Sequence, residues 1–419
     1  MRAQCGSVLI MLVVSLVAIL GVAGLAVDVG NAFLVQTRLQ NAMDAAALSA
    51  AKTLNQHRST VRARAHGTET FTAHLNADLS DYAGSITPVF EFSDELTPFD
   101  AGGLNSRFVR VSLTDVPVAV LFANALAGVD DQFDLDSAAV AGPLPIGGGE
   151  AEICDVAPLF VCGDMTDSDC SDGTCYGMEI GDESEVCMKT GSQNGGGNGN
   201  GNGNGLGNWK GQNGEDDGIC SEVNPGIGSG NFQLLSLGCG NGANCVRRAI
   251  SGEYSGCVTL GNDVETKPGN TVGPTAQGLN TRFGEYSGNM TAEAYPPDLV
   301  TTNRDDDIDF WYRNYLDRYV NGIYDEQQGR PNRRVLAVPV GSCDGTVNGR
   351  GTVKVSAVAC VFLTRPAVHS GNDQAVYGQI IGDCEVAGEP PFNPDTGPTL
   401  GTFGAYKIVL YKNTGAPDA

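Results

Sequence analysis

Four aspartates, Asp164, Asp167, Asp169 and Asp172, fall within the ten-residue segment DMTDSDCSDG. A hard cation such as Ca²⁺ takes several oxygens from alternating loop positions, with a glycine at the sharp turn. Asp167-x-Asp169 opens that pattern, but the fifth position is Ser171 and the sixth is Asp172, so Gly173 arrives one residue late. The EF-hand register fails, and the segment admits only a calcium loop stapled through Cys170 and Cys175. Calcium is thus the one cofactor the sequence suggests, and otherwise none is expected. A second cluster, Asp305, Asp306, Asp307 and Asp309, reads more simply as the acidic first turn of a helix, where carboxylates complement the helix dipole.

Thirteen cysteines form the other reactive set. Cys5 precedes an apolar run; the remaining twelve are Cys154, Cys162, Cys170, Cys175, Cys187, Cys220, Cys239, Cys245, Cys257, Cys343, Cys360 and Cys384. An even number of cysteines beyond a membrane anchor fits up to six disulfides in an oxidising compartment. Pairing cannot be read from spacing. Structural zinc is the alternative, but no C-x-x-C pair occurs and only His369 lies in the cysteine-bearing region, so disulfides are expected.

Catalytic constellations are missing. There is no G-x-S-x-G, no Walker loop, no H-E-x-x-H and no dinucleotide fingerprint between a strand and a helix. Of four histidines, His57, His66 and His74 lie on or near the helical stalk and His369 stands alone. The chain is read as non-enzymatic. Its net charge of −24 repels nucleic acid and anionic lipid, so no nucleic-acid partner is expected.

The elements that carry these residues begin with positions 8–27, twenty apolar or small residues without a charge. About 20 apolar residues span a bilayer core as a helix, and the run is longer than the ~7–15 residues of a signal-peptide core. Arg2 before it and Asp28 after it place residues 1–7 in the cytoplasm and the rest outside. Helical character continues to residue 56. Within it Ala32, Val35, Leu39, Ala42 and Ala46 recur at steps of three and four, a stripe of mostly small side chains suited equally to close packing on a partner helix and to lying on the chain's own domain. Residues 61–79 read as a second helical stretch or a kinked continuation of the first.

Strands are expected at 86–92, at 107–113, where Val109, Val111 and Leu113 share one face, and at 132–140. Residues 118–126 (VAVLFANAL) read as a short apolar helix between them. Pro143, Pro145 and Gly147 to Gly149 mark a boundary. Beyond it, the glycine-asparagine tract around 194–208 is too polar to pack and is expected as a flexible loop, with Trp209 pinning one end. A helix is expected over 307–320, and strands over 335–340, 353–363 and 406–411. The fold class is α+β: an N-terminal transmembrane helix continuing into a helical stalk, followed by a disulfide-rich ectodomain with antiparallel sheet. The expected division is 1–7 cytoplasmic tail, 8–27 transmembrane helix, 28–80 stalk, 81–145 α+β region and 146–419 Cys/Gly/Asp-rich ectodomain.

Three segments carry a resemblance: Gly6-Ser7-Val8, the G-L-A-V-D-V-G exit from the apolar run, and the T-R-L-Q-N-A-M-D-A-A-A-L stretch beginning at Thr37. Together they resemble the TadE/TadG-like proteins of Flp (Tad) pilus assembly, closest to the TadG type, over about the first 55 residues. The segments RFVRVSLTDVPVAVLFANALAG and FDLDSAAVAG are similar to TadG-type sequences as well, and 230–242 and 266–283 more loosely. The resemblance implies a single-pass bacterial inner-membrane protein with a periplasmic or extracellular domain. It also implies a role in assembling or anchoring an adhesive pilus, and pilus-assembly proteins or pilin-like helices as partners. Self-association is left open. Some longer relatives carry a von Willebrand A domain, whose metal site needs Asp-x-Ser-x-Ser; this chain has no such triplet. Prepilin-type processing after Gly6 would call for Glu five residues on, where Met11 stands. Two alternatives remain: a minor pilin-like fibre subunit, and a secreted calcium-dependent adhesin released by cleavage near Ala26.

Overall fold

The computed structural model describes residues 6–103, 105–120, 122, 132–146, 151–167, 174–181, 183, 185–189, 227, 231–238, 242–253, 256–269, 271–307, 309–343, 347, 349–367, 375–389 and 404–411. The glycine-asparagine tract, Trp209 and His369 lie outside them. Two compact units result: residues 1–143 with 408–419, and residues 144–407.

The first unit is built from helices α1 (Gly6–His57) and α2 (Thr60–Asp78) and strands β1 (Val89–Ser93), β2 (Phe108–Ala119) and β3 (Gln132–Pro145). α1 runs unbroken for 52 residues, about 78 Å at 1.5 Å per residue. Arg58 in the left-handed region (φ 48°) reverses the chain. Ser59 then caps α2, its hydroxyl accepting from the Arg62 amide. The two helices lie back to back, with Thr70 donating to the Ser49 hydroxyl (2.9 Å).

β1, β2 and β3 pair antiparallel, with Phe92 opposite Val109 and Val109 opposite Ala141. Their inward residues Phe90, Phe92, Val109, Val111 and Ala139 close over Leu39, Ala46, Ala50 and Leu54 of α1 in one core. The expected helix over 118–126 is corrected at its start, for β2 continues through Val118 and Ala119, opposite Phe133 and Gln132. A bulge between Leu113 and Val116 resets the alternation, so Val116 and Val118 stay on the buried face. Residues 121 and 123–126 of that expected helix lie outside the described residues.

The second unit contains β4 (Glu152–Val156), β5 (Val161–Cys162), β6 (Thr174–Cys175), β7 (Met178–Glu179), β8 (Val186–Lys189) and β9 (Asn231–Leu235). Helix α3 (Ala243–Ile250), strands β10 (Gly256–Thr259) and β11 (Asp263–Pro268), and helices α4 (Val272–Asn280) and α5 (Tyr312–Asn321) follow. The chain closes with β12 (Val335–Gly341), β13 (Thr352–Lys354), β14 (Ala357–Leu363), β15 (Ala375–Ile381), β16 (Asp383–Glu385), β17 (Ala387–Glu389) and β18 (Gly404–Tyr411). The main sheet runs β10-β4-β12-β14-β15-β8. It is antiparallel except where β12 lies parallel to β4 and β5. β14 and β15 are buried at every residue, as continuous apolar runs require when both faces are covered. On one face Ala337, Val358, Cys360 and Phe362 meet Tyr315 and Tyr319 of α5. On the other, Val338, Ala359 and Val361 meet Val246 and Ile250 of α3 and Leu279 of α4.

Two further expectations shift. The strand expected over 353–363 breaks into β13 and β14 because the intervening Val355 and Ser356 amides turn to the Asn262 and Val340 carbonyls. The helix expected over 307–320 starts at Tyr312, and its first turn holds no acid. Asp307 and Asn303 instead accept the Asp309 and Asp305 amides in short turns. Such side chains compete with the helix for backbone donors. The helix is capped at Trp311, whose amide donates to Asn314 (3.0 Å).

Candidate functional site

The functional feature with the strongest physical signature is α1 itself, which changes character along its length. From Ile10 to Leu34 its large apolar side chains are bare, Leu16 at 52%, Leu20 at 62% and Phe33 at 65% exposure. From Val35 onward the residues facing the sheet are buried. This bare stretch has the length and composition to cross a membrane.

The change is marked by Asp28, which is 2% exposed. Its two carboxylate oxygens accept the Phe122 amide at 3.1 and 3.0 Å. A buried carboxylate needs such donors, and this one is supplied from the end of β2.

The stripe expected to pack on a partner helix is covered from within. Val35, Leu39, Ala42 and Ala46 are at most 5% exposed and belong to the core that α1 forms with α2 and the sheet. Ala32 is half-buried. Of the two readings of the stripe, packing on the chain's own domain is the one seen here: its small side chains admit the chain's own β2 and β3. Gln40, beside the stripe, bridges to β3, accepting from the Ser137 hydroxyl (2.8 Å) and donating to the Ala138 carbonyl (3.2 Å).

Of the four aspartates singled out for calcium, Asp164 and Asp167 are described and Asp169 and Asp172 are not. Asp164 accepts from the Thr166 amide and hydroxyl (2.9 and 2.6 Å), and these bonds hold its carboxyl below the ordinary range. Asp167 accepts the Gly177 amide (2.9 Å). Both fasten the turn around the β6–β7 hairpin.

Three disulfides are described: Cys154–Cys257, Cys162–Cys343 and Cys360–Cys384. Cys175 and Cys245 are disulfide-bonded too. Cys170, Cys220, Cys239 and the side chain of Cys187 lie outside the described residues. Glu152, Cys154 and Cys257 come within 4.8 Å of one another, but sulfurs joined to each other offer no thiolate to a metal.

One polar cluster escaped sequence reading. Asp298 is fully buried, Oδ1 accepting from the Tyr319 hydroxyl (2.6 Å) and Val300 amide (2.9 Å). Its Oδ2 accepts from the Tyr315 hydroxyl (2.8 Å) and Arg334 amide (3.0 Å). Arg334, also fully buried, donates to the carbonyls of Val300, Thr302 and Leu363. Burial outweighs these donors and lifts the Asp298 carboxyl above its usual range, and burial lowers Arg334 to about 10. Strongly shifted groups can mark an active site, but here the polar atoms of Asp298 and Arg334 are bonded to the chain's own framework. The cluster ties α5, β12 and the end of β14 together. Its only trace in the sequence is Arg333-Arg334 placed directly before an apolar strand.

Residues 6–53 match the family model described as putative Flp pilus-assembly TadE/G-like. The matched residues coincide with α1 almost from end to end. No curated protein and no solved structure matches the chain.

Proposed function

We propose that this chain is a TadG-type, membrane-anchored envelope protein that takes part in assembling or anchoring a Flp/Tad-type pilus. The observation that carries the reading is the coincidence of the TadE/G-like segment with α1. Half of that helix is bare and apolar, and half is the core of the first unit. Such a helix joins a bilayer rigidly to the domain beyond it. Arg2 and the run that follows favour a cytoplasmic N-terminus in the inner membrane. Disulfides on the other side of the run favour a periplasmic or extracellular position for the rest. The role is mechanical and non-catalytic, with pilus-assembly proteins as partners. In support, the buried ionisable cluster around Asp298 is consumed by the framework.

The test is removal of the chain from a bacterium that bears such fibres. Surface fibres are expected to disappear while the pilin is still made, and the full chain is expected to stay with the membrane fraction. Unchanged fibres would refute the reading. Recovery of the chain in sheared fibres would replace it with that of a minor fibre subunit.

A further inference from the structure

The sequence places the end of the membrane span at Asp28, the first charge after Arg2. Asp28 is covered and Asn31 is half-buried, while the large side chains beyond Asp28 remain apolar and bare: Val29, Phe33 and Leu34 are 40%, 65% and 48% exposed. The next charged residue on α1 is Arg38. The 24 residues from Ile10 to Phe33 rise about 36 Å as a helix, enough to cross a hydrocarbon layer of about 30 Å with some tilt.

What covers Asp28 is equally apolar. Phe122 gives its amide to the carboxylate, while the residue stays 54% exposed. Its Cβ stands 2.8 Å from where a Cβ on Gly24 would be. Gly24 lies one helical turn deeper in the bare run than Asp28. Any side chain at position 24 would push Phe122 off, so the glycine is the seat for this residue. In the sequence no charged residue stands between Asp115 and Asp130.

We infer that Phe122, seated on Gly24 and clamped by Asp28, is a second lipid-contacting element, and that the bilayer boundary lies at Phe33 and Leu34. The occupant is the lipid itself because Phe122 adjoins the same bare surface that α1 presents to the bilayer. An ionisable residue at membrane depth is tolerated when backbone donors satisfy it in a site that protein covers, which is the arrangement around Asp28. The clamp then fixes the angle at which the first unit leaves the membrane. This inference rests on the anchoring proposed above.

The test uses the full chain reconstituted in phosphatidylcholine vesicles whose acyl chains carry bromine, a short-range quencher of tryptophan. Three reporters are compared by the emission each adds to that of the wild type. Leu16→Trp lies in the middle of the run, Phe122→Trp at the clamp, and Val61→Trp at the far end of the first unit. Val61 lies in the first turn of α2, just after α1 ends, and is 78% exposed. The added emission of Leu16→Trp and Phe122→Trp is expected to fall at least twofold on bromination, and that of Val61→Trp to stay unchanged. If Leu16→Trp is quenched and Phe122→Trp behaves like Val61→Trp, the anchor stands and the inference is overturned. A blue-shifted but unquenched Phe122→Trp would mean a protein occupant, and also overturns it. If Leu16→Trp is unquenched, the anchoring fails and the inference falls with it.

Discussion

Gly67 of α2 faces Phe90 of β1 so closely that a Cβ on residue 67 would stand 2.5 Å from the ring's Cε1, and 3.0 Å from the Ala50 Cβ of α1. Three elements thus meet at one hydrogen atom. Glycine inside a helix costs about 0.5–1 kcal/mol relative to alanine, so its presence at a mid-helix position reflects this contact. Gly67→Ala trades that small gain for overpacking of a dense core, a cost of about 1–3 kcal/mol. The expected result is faster hydrogen exchange of the amides along the α1–α2 contact. Exchange slowed or unchanged would show that Phe90 moves aside freely.

His57, the last residue of α1, is 9% exposed. Burial first, then the charges of Arg62 and His66, lower its pKa from 6.5 to about 4. A group whose folded pKa lies below its unfolded value binds fewer protons when folded, so stability falls as the pH drops. The loss runs from about 6.5 down to about 4, and below that both states are protonated. The first unit is expected to lose stability across this window, and His57→Gln is expected to flatten the profile. Urea midpoints followed by circular dichroism between pH 7 and pH 4 check it; an unaltered slope in His57→Gln assigns the pH dependence elsewhere.

These two sites show where sequence reasoning stops. The long apolar helix, the α+β class and the period-two face of β2 were readable, because each is a local pattern of side-chain type. The bulge at Leu113–Val116 was not, since two strands must be paired before an extra residue has meaning. The aspartates at 305–309 resembled a helix start, yet Asx-type bonds to nearby amides hold them outside α5. The Ala-rich stripe of α1 carried equal signal for a partner helix and for an internal sheet; only the arrival of Val109, Val111 and Ala139 above it separates the two. The clamp at Asp28 joins residues 94 positions apart, and a carboxylate ending an apolar run looks like a solvated boundary until its donor is known.

Arg334 and Asp298 present the same difficulty in the second unit, where two charged residues far apart in sequence form the polar centre of the core, Asp298 accepting the Arg334 backbone amide. Tyr319→Phe removes one of two donors to Asp298 Oδ1, at a cost of about 1–3 kcal/mol for an under-satisfied buried acceptor. Asp298→Ala also removes the carboxylate whose field favours the Arg334 cation. The larger loss expected for a broken buried charge pair is about 3–5 kcal/mol. Urea unfolding followed by tryptophan fluorescence orders the two variants. If Tyr319→Phe proves as damaging as Asp298→Ala, the tyrosine hydroxyl, which also accepts the Asn332 amide, carries the stabilisation rather than the attraction between Asp298 and Arg334.

The Cys360–Cys384 bridge closes a loop of 24 residues between the central strand β14 and β16. Cross-linking a loop of that length removes unfolded-state entropy equivalent to about 3 kcal/mol at 25 °C. Cys360 and Cys384 are both buried, so reductant reaches this bridge chiefly through opening of the second unit. The double variant Cys360→Ser/Cys384→Ser is expected to lower the urea midpoint of that unit by an amount corresponding to about 3 kcal/mol, and to make it easier to digest with protease. The first unit contains none of the three described bridges, so its α1–α2 amides are expected to keep their exchange rates. Loss of protection in both units together would show that they unfold as one body, and loss in neither would show that packing of β14 holds the second unit without the bridge.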